Sequence, residues 1–193
     1  MMTVQLKKAI TVSEFQTFVE RDENREGRFE LIDGEIVDVP SNPLVSVIAM
    51  RIVGFIFMFL QQRKVDGHVS GEGGGFIIDG QVFAPDVAYV RDLPTDKGFE
   101  HQPPLLAVEV ISDPGNNAEQ TDLRRKLAHY MRAGTLVWVV DYVARQVEVH
   151  QPGERVVLIG ETGKLTAEGI LPGFELAVSD IFPQAKQQTD KAE

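Results

Sequence analysis

The chain has 193 residues, ordinary apolar and charged content and no cysteine, so disulfides and thiolate metal sites are excluded and one folded domain with its own core is expected. The net charge of −10 argues against broad electrostatic affinity for nucleic acid, which needs clustered Lys and Arg. The densest such cluster, Arg124-Arg125-Lys126, reads by itself as a solvated helix face. The segment Met1 to Lys8 has no apolar h-region, so no secretory signal is expected and a cytoplasmic location follows by default.

In chain order, Thr11-Val12-Ser13-Glu14 fits a capping box that opens a short helix to about Arg21. Phe29-Glu30-Leu31-Ile32, the turn Asp33-Gly34 and Glu35 to Val39 form a hairpin by the Asp-Gly rule. Leu44 to Leu60 is almost wholly apolar, broken by Ser46, Arg51 and Gly54. A membrane span is disfavoured because the run is short and carries an arginine near its middle, where insertion costs roughly 2.5–3.5 kcal/mol. The expectation is a helix packed on a sheet, with enough apolar perimeter left to contact a second copy of the chain in a homodimer.

Gly71-Glu72-Gly73-Gly74-Gly75 lacks the Lys-Ser/Thr of a phosphate-binding P-loop and reads as a strand edge or bulge. Asp79-Gly80 turns the chain into a second hairpin, whose return strand runs through Ala84 to Val90. Leu105 to Ser112 is a strand, Ala118 to Arg132 a helix ended by Gly134, and Leu136 to Asp141 another buried strand, which together make a parallel crossover. Val143 to His150 and Arg155 to Ile159 alternate as antiparallel edge strands do, and Phe174 to Val178 adds one more. Residues beyond Phe182 are expected to be disordered.

Two of these strands each carry one carboxylate among apolar neighbours. By the period of two, Asp86 shares a face with Val82, Ala84, Ala88 and Val90, and Glu109 with Leu105, Ala107 and Ile111. An ionised carboxylate is tolerated there only when paired, hydrogen-bonded or bound to a metal, so the two acids suggest a shared divalent cation. Mg²⁺ or Mn²⁺ held by two carboxylates and a backbone carbonyl such as that of Val110 suits phosphodiester hydrolysis. Lys126, at the edge of its helix's core face, can reach the same place, whereas Arg125 points away. His68, His101, His129 and His150 have no ligand spacing and are expected at the surface or in loops. Trp138 and Tyr130 are expected in the core.

The order of these features resembles the PD-(D/E)XK nuclease core, and within it the Uma-type group of restriction-endonuclease-like proteins. The residues that carry the resemblance are Phe29 to Glu35, Pro85-Asp86-Val87, Val108 to Ser112, Asp122 with Lys126 and Tyr130, and Val137 to Asp141, with a similar ending near Leu171-Pro172-Gly173. The resemblance implies an α/β (α+β) fold with a mixed central β-sheet flanked by helices, in a single domain over residues 1–183 with a tail at 184–193. It also implies an endonuclease acting on nucleic acid, with DNA the expected substrate. Asp86 and Glu109 would be the metal-binding pair, Glu30 an auxiliary acid, as consistent with the surface as with the site, and Lys126 the family's lysine. The chain departs from the motif at Ile111, where a lysine would stand two residues after Glu109, and at Val45-Ser46, where relatives often have a histidine. Two alternatives stay open: a non-catalytic domain that keeps the fold for nucleic-acid binding or assembly, and a hydrolase of another phosphate ester.

Overall fold

The computed structural model describes residues 8–39, 42–95 and 97–183; the expected tail at 184–193 lies outside them. The capping box forms as expected, with Thr11 Oγ1 accepting from the Glu14 N–H and the Glu14 side chain accepting from the Thr11 N–H. It opens α1 (Val12–Val19). Next come β1 (Phe29–Ile32) and β2 (Glu35–Asp38), then α2 (Pro43–Arg63), β3 (His68–Gly71), β4 (Phe76–Ile78), β5 (Gln81–Phe83) and β6 (Val87–Val90). At both Asp-Gly turns each residue has a positive φ, 51° and 75° at Asp33-Gly34 and 50° and 76° at Asp79-Gly80. That is the geometry matching the twist of a two-residue hairpin, and glycine supplies the second position without strain.

The second half of the chain provides β7 (Leu106–Val110), α3 (Asn117–Ala133), β8 (Leu136–Asp141), β9 (Gln146–His150) and β10 (Val157–Gly160), then β11 (Lys164–Ala167), β12 (Leu171–Ala177) and the short α4 (Val178–Ile181). The main sheet runs β10-β9-β8-β7-β6-β3. Of its pairings only β7 with β8 is parallel, joined by α3, and the rest are antiparallel. The fold is thus the expected mixed sheet with helices. A second sheet, in the order β2-β1-β5-β4, and the pair β11-β12 complete it.

The expected strand through Ala84 to Val90 is not continuous. Pro85 offers no N–H to a ladder, and the chain leaves β5 in the smaller sheet, passes Ala84 to Asp86, and enters β6 in the larger one. Asp86 therefore sits at the junction of two sheets rather than inside one strand.

Alternation sorts the main sheet's side chains cleanly. Val87, Tyr89, Val108, Val110, Trp138 and Val140 face α2 and β12, while Ala88, Val90, Ala107, Val137 and Val139 face Tyr130 of α3. Ile32, Ile78 and Phe83 of the smaller sheet join that second cluster, so α3 is wedged between the two sheets. The smaller sheet's other side packs Leu31 and Val82 on Phe15 of α1.

Helix α2 is long and apolar enough to cross a membrane by length and composition, with mean hydropathy 2.2. Its row Ile48, Ile52, Ile56 and Leu60 is buried against the main sheet, as the i, i+4 repeat of a helix on a sheet requires. Its other side leaves Val47, Met50, Phe57 and Met58 about half exposed.

Candidate active site

Glu30 and Glu109 reach the site because of strand parity. On β1, Leu31 faces α1 and so Glu30, its neighbour, faces α3 along with Ile32. On β7, Val108 and Val110 face α2, so Glu109 points to α3 with Ala107 and Ile111. Lys126 projects from α3 into the gap and donates to Glu30 Oε1 and Glu109 Oε2, both at 2.8 Å. One turn further on, Tyr130 donates its hydroxyl to Glu109 Oε1 at 2.7 Å. Glu30 Oε1 also accepts from the Ala84 N–H at 2.8 Å. The lysine thus ties the smaller sheet to the larger one through two carboxylates, all three side chains being buried.

Asp86 is fixed by the end of a ladder. Val110 extends beyond the last β6 residue paired with β7, Val87 opposite Val108, and its N–H donates instead to Asp86 Oδ2 at 2.7 Å. A peptide carbonyl leaves a strand on the same side as its residue's N–H, and Val110 lines the cleft together with Glu30, Asp86, Glu109, Ile111 and Lys126. The cleft has a volume of about 380 Å³.

Electrostatically the site holds three carboxylates against one ammonium. Burial pushes the Asp86 carboxyl up to about 6, against a smaller opposing effect of its bond from Val110. Burial likewise raises Glu109 to about 7, with Lys126 pulling it down and Glu30 and Asp86 pushing it up. Burial by itself lowers Lys126, but the carboxylates of Glu109 and Glu30 more than offset it and hold the ammonium charged. The Tyr130 hydroxyl is driven well above its usual range by burial and by Glu109, so it remains a donor.

Two neighbouring, largely desolvated carboxylates with raised pKa values are a donor set that gains by taking a divalent cation. Among the described residues no three acidic or histidine side chains form a ready-made cage. Asp86, Glu109 and the Val110 carbonyl fit an ion that keeps several of its own waters, as Mg²⁺ does.

All four side chains expected at the site thus converge on one cleft. The surface alternative for Glu30 does not hold, since Glu30 is 4% exposed. Two other expectations are corrected. Arg125 does not point away: it donates to Asp33 Oδ2 at 2.7 Å, to Asp122 at 3.0 Å and to the Ile32 carbonyl at 2.9 Å, clamping α3 to the β1–β2 hairpin. His129 is buried, not a surface residue, with Nδ1 2.8 Å from Asp79 and Nε2 2.7 Å from Asp33. It pins both Asp-Gly turns to the helix.

Sequence reasoning placed Tyr130 only in the core and missed its bond to Glu109. The signal was its i, i+4 spacing from Lys126, which stacks the two side chains on one helix face.

No curated protein matches this chain. The solved structures include one described as "a putative nuclease belonging to DUF820" from Anabaena variabilis, 20% identical, with a TM-score of 0.73 over 90% of this chain and 97% of that one. At that identity the likeness establishes the fold. In sequence, residues 13–179 match the Uma2 family, described as "Putative restriction endonuclease". With residues 13–179, most of its length, in that match, the chain belongs to the Uma2 family of restriction-endonuclease-like proteins.

Proposed function

We propose that the chain is a metal-dependent endonuclease that hydrolyses phosphodiester bonds of DNA at the Asp86–Glu109–Lys126 cleft. The observation that carries this reading is the convergence of Glu30, Asp86, Glu109 and Lys126 from two sheets and one helix onto a single open cleft. Asp86, Glu109 and the Val110 carbonyl would hold Mg²⁺ or Mn²⁺. When bound, such an ion polarises a phosphoryl oxygen and lowers the pKa of a water.

The chain's own groups do the rest. Val110 N–H orients Asp86, and Tyr130 with Lys126 fixes both oxygens of Glu109. Lys126 has three N–H donors, of which two are used by Glu30 and Glu109. The third is left for negative charge that builds on the phosphate as the bond breaks. Glu30 acts on Lys126, holding it charged and in place.

The test is calorimetric titration with Mn²⁺ followed by a cleavage assay on supercoiled plasmid. Binding is expected for the parent and lost in Asp86→Ala and Glu109→Ala; unchanged affinity in both variants would refute the site. Metal binding without cleavage of DNA or RNA would point to the non-catalytic alternative. We further propose a homodimer through α2, supported by the half-exposed stripe Val47, Met50, Phe57 and Met58.

A further inference from the structure

Arg28 and Lys126 are the two cations among the side chains that line the cleft. Lys126 is buried and committed to two carboxylates, so it offers little to an anion still outside. An approaching phosphate meets a rim of Asp38, Glu72, Glu119 and Asp122, and one guanidinium, that of Arg28. That guanidinium is ion-paired with Glu72.

The pair is built on two different supports. Arg28 stands directly before β1, the strand that carries Glu30, and its carbonyl accepts from the Val39 N–H, so its backbone is part of the hairpin. Glu72 belongs to the glycine run that joins β3 to β4. Gly73 there has φ of +134°, and a Cβ built on it would have no heavy atom within 4 Å. Gly73 and Gly74 give the stretch after Glu72 both conformational freedom and room, while Gly75, where a Cβ would meet Phe99 at 2.6 Å, anchors its far end. Both side chains are about one-third exposed, so exchange with solvent anions is open. Glu72 also lies close enough to Asp86 for its charge to push that carboxyl up.

On the endonuclease reading above, we propose that Arg28 is the cleft's phosphate-binding side chain and that Glu72 is an internal counter-ion which a backbone phosphate must displace. A planar guanidinium pairs a phosphodiester with the same two-pronged geometry it uses for a carboxylate. The glutamate thus sets a threshold. Weakly held anions do not dislodge it, whereas a polyanionic strand, anchored at several phosphates, does. The glycine run, which has no P-loop chemistry of its own, serves here as the hinge of an intramolecular competitor.

Removing Glu72 and removing Arg28 then have opposite effects. Binding is read by fluorescence anisotropy of a short fluorescein-labelled DNA duplex, with Ca²⁺ in place of Mg²⁺ and at several salt concentrations. Arg28→Met is expected to weaken binding about tenfold, and to reduce the salt slope by about one phosphate contact. Glu72→Gln is expected to tighten binding at least about threefold, a gain that misfolding cannot imitate. In the Arg28→Met background the Glu72→Gln gain should vanish, because it acts through the guanidinium. Asp38→Asn, which removes another lining acid, measures the effect of lost negative charge alone.

A Glu72→Gln variant no tighter than Asp38→Asn overturns the proposal, as does a Glu72→Gln gain that persists without Arg28. An unchanged affinity in Arg28→Met overturns it too. If the parent binds no duplex and cleaves none, the endonuclease reading itself fails. If the parent binds and cleaves while these variants behave alike, only the present inference falls.

Discussion

Replacing Asp86 with asparagine separates the acid's role in a metal site from any role in holding the fold. In the folded chain burial raises this carboxyl from 3.8 to about 6. A shift of roughly two units, at about 1.4 kcal/mol each, corresponds to about 3 kcal/mol. The sign follows from which state holds the proton more tightly. Because the folded pKa is the higher one, the carboxyl's stabilising contribution is complete below about pH 3.8 and is lost as pH rises through about 6. At pH 7.5, in chelator, the parent therefore carries an ionised and poorly solvated Asp86. Asparagine is neutral at every pH and its amide oxygen can still accept the Val110 N–H.

Thermal unfolding in EDTA should show Asp86→Asn more stable than the parent at pH 7.5, by roughly 6 °C or more for a chain of this size. At pH 4 the two should nearly coincide. Adding Mn²⁺ should raise the parent's Tm and leave the variant's unchanged, since a ligand stabilises only the state that binds it. An asparagine variant less stable than the parent at pH 7.5, or an equal shift at both pH values, would refute the reasoning.

Lys126→Met removes the cation from two buried carboxylates and should cost about 3–5 kcal/mol in chemical denaturation. Its cleavage rate should fall far more than its Mn²⁺ affinity, and Ile111→Lys in that background should restore part of the rate; parent-like cleavage by Lys126→Met would exclude a catalytic role. Tyr130→Phe keeps the ring, 5.4 Å from Phe83, but deletes the bond to Glu109, so calorimetry should show Mn²⁺ affinity down by about tenfold or more. His129→Leu removes the partner shared by Asp33 and Asp79, which keep Arg125 and Arg132, and should lower stability by about 1 kcal/mol in a denaturant titration. Sedimentation at tens of micromolar protein, roughly where a standard interface still closes, should show a dimer that Phe57→Glu converts to a monomer; a monomeric parent would count against the α2 interface.

Much of the architecture is local in origin and was legible in the sequence. Both Asp-Gly hairpins, the Thr11 capping box, the strand–helix–strand unit from β7 to β8 and the parity that turns Glu109 away from Val108 all depend on residues a few positions apart. Periods of two and 3.6, and the left-handed backbone of an Asp-Gly turn, are properties of short segments. Asp86 and Glu109 were visible for the same reason, as charges among apolar strand neighbours, whereas Glu30 and Lys126 took their place at the site chiefly through the resemblance to the nuclease family.

What the tertiary structure decided are the pairings between distant segments. Glu30 and Lys126 are 96 positions apart, and only the order of strands in two sheets, with α3 wedged between them, brings them to 2.8 Å. The break at Pro85, which hands the chain from one sheet to the other, puts Asp86 rather than a backbone carbonyl against Val110 N–H. Arg125 and His129 looked like solvated helix positions because the wheel shows only one packing partner, whereas α3 has two, and the smaller sheet covers the flank that the larger leaves open. Arg28 and Glu72 carry no periodic signal at all. Sequence determined which segments form and which way Glu109 faces, and the folded sheets decided where Asp86 sits and which charges meet, because long-range pairing depends on topology and not on the spacing of neighbours.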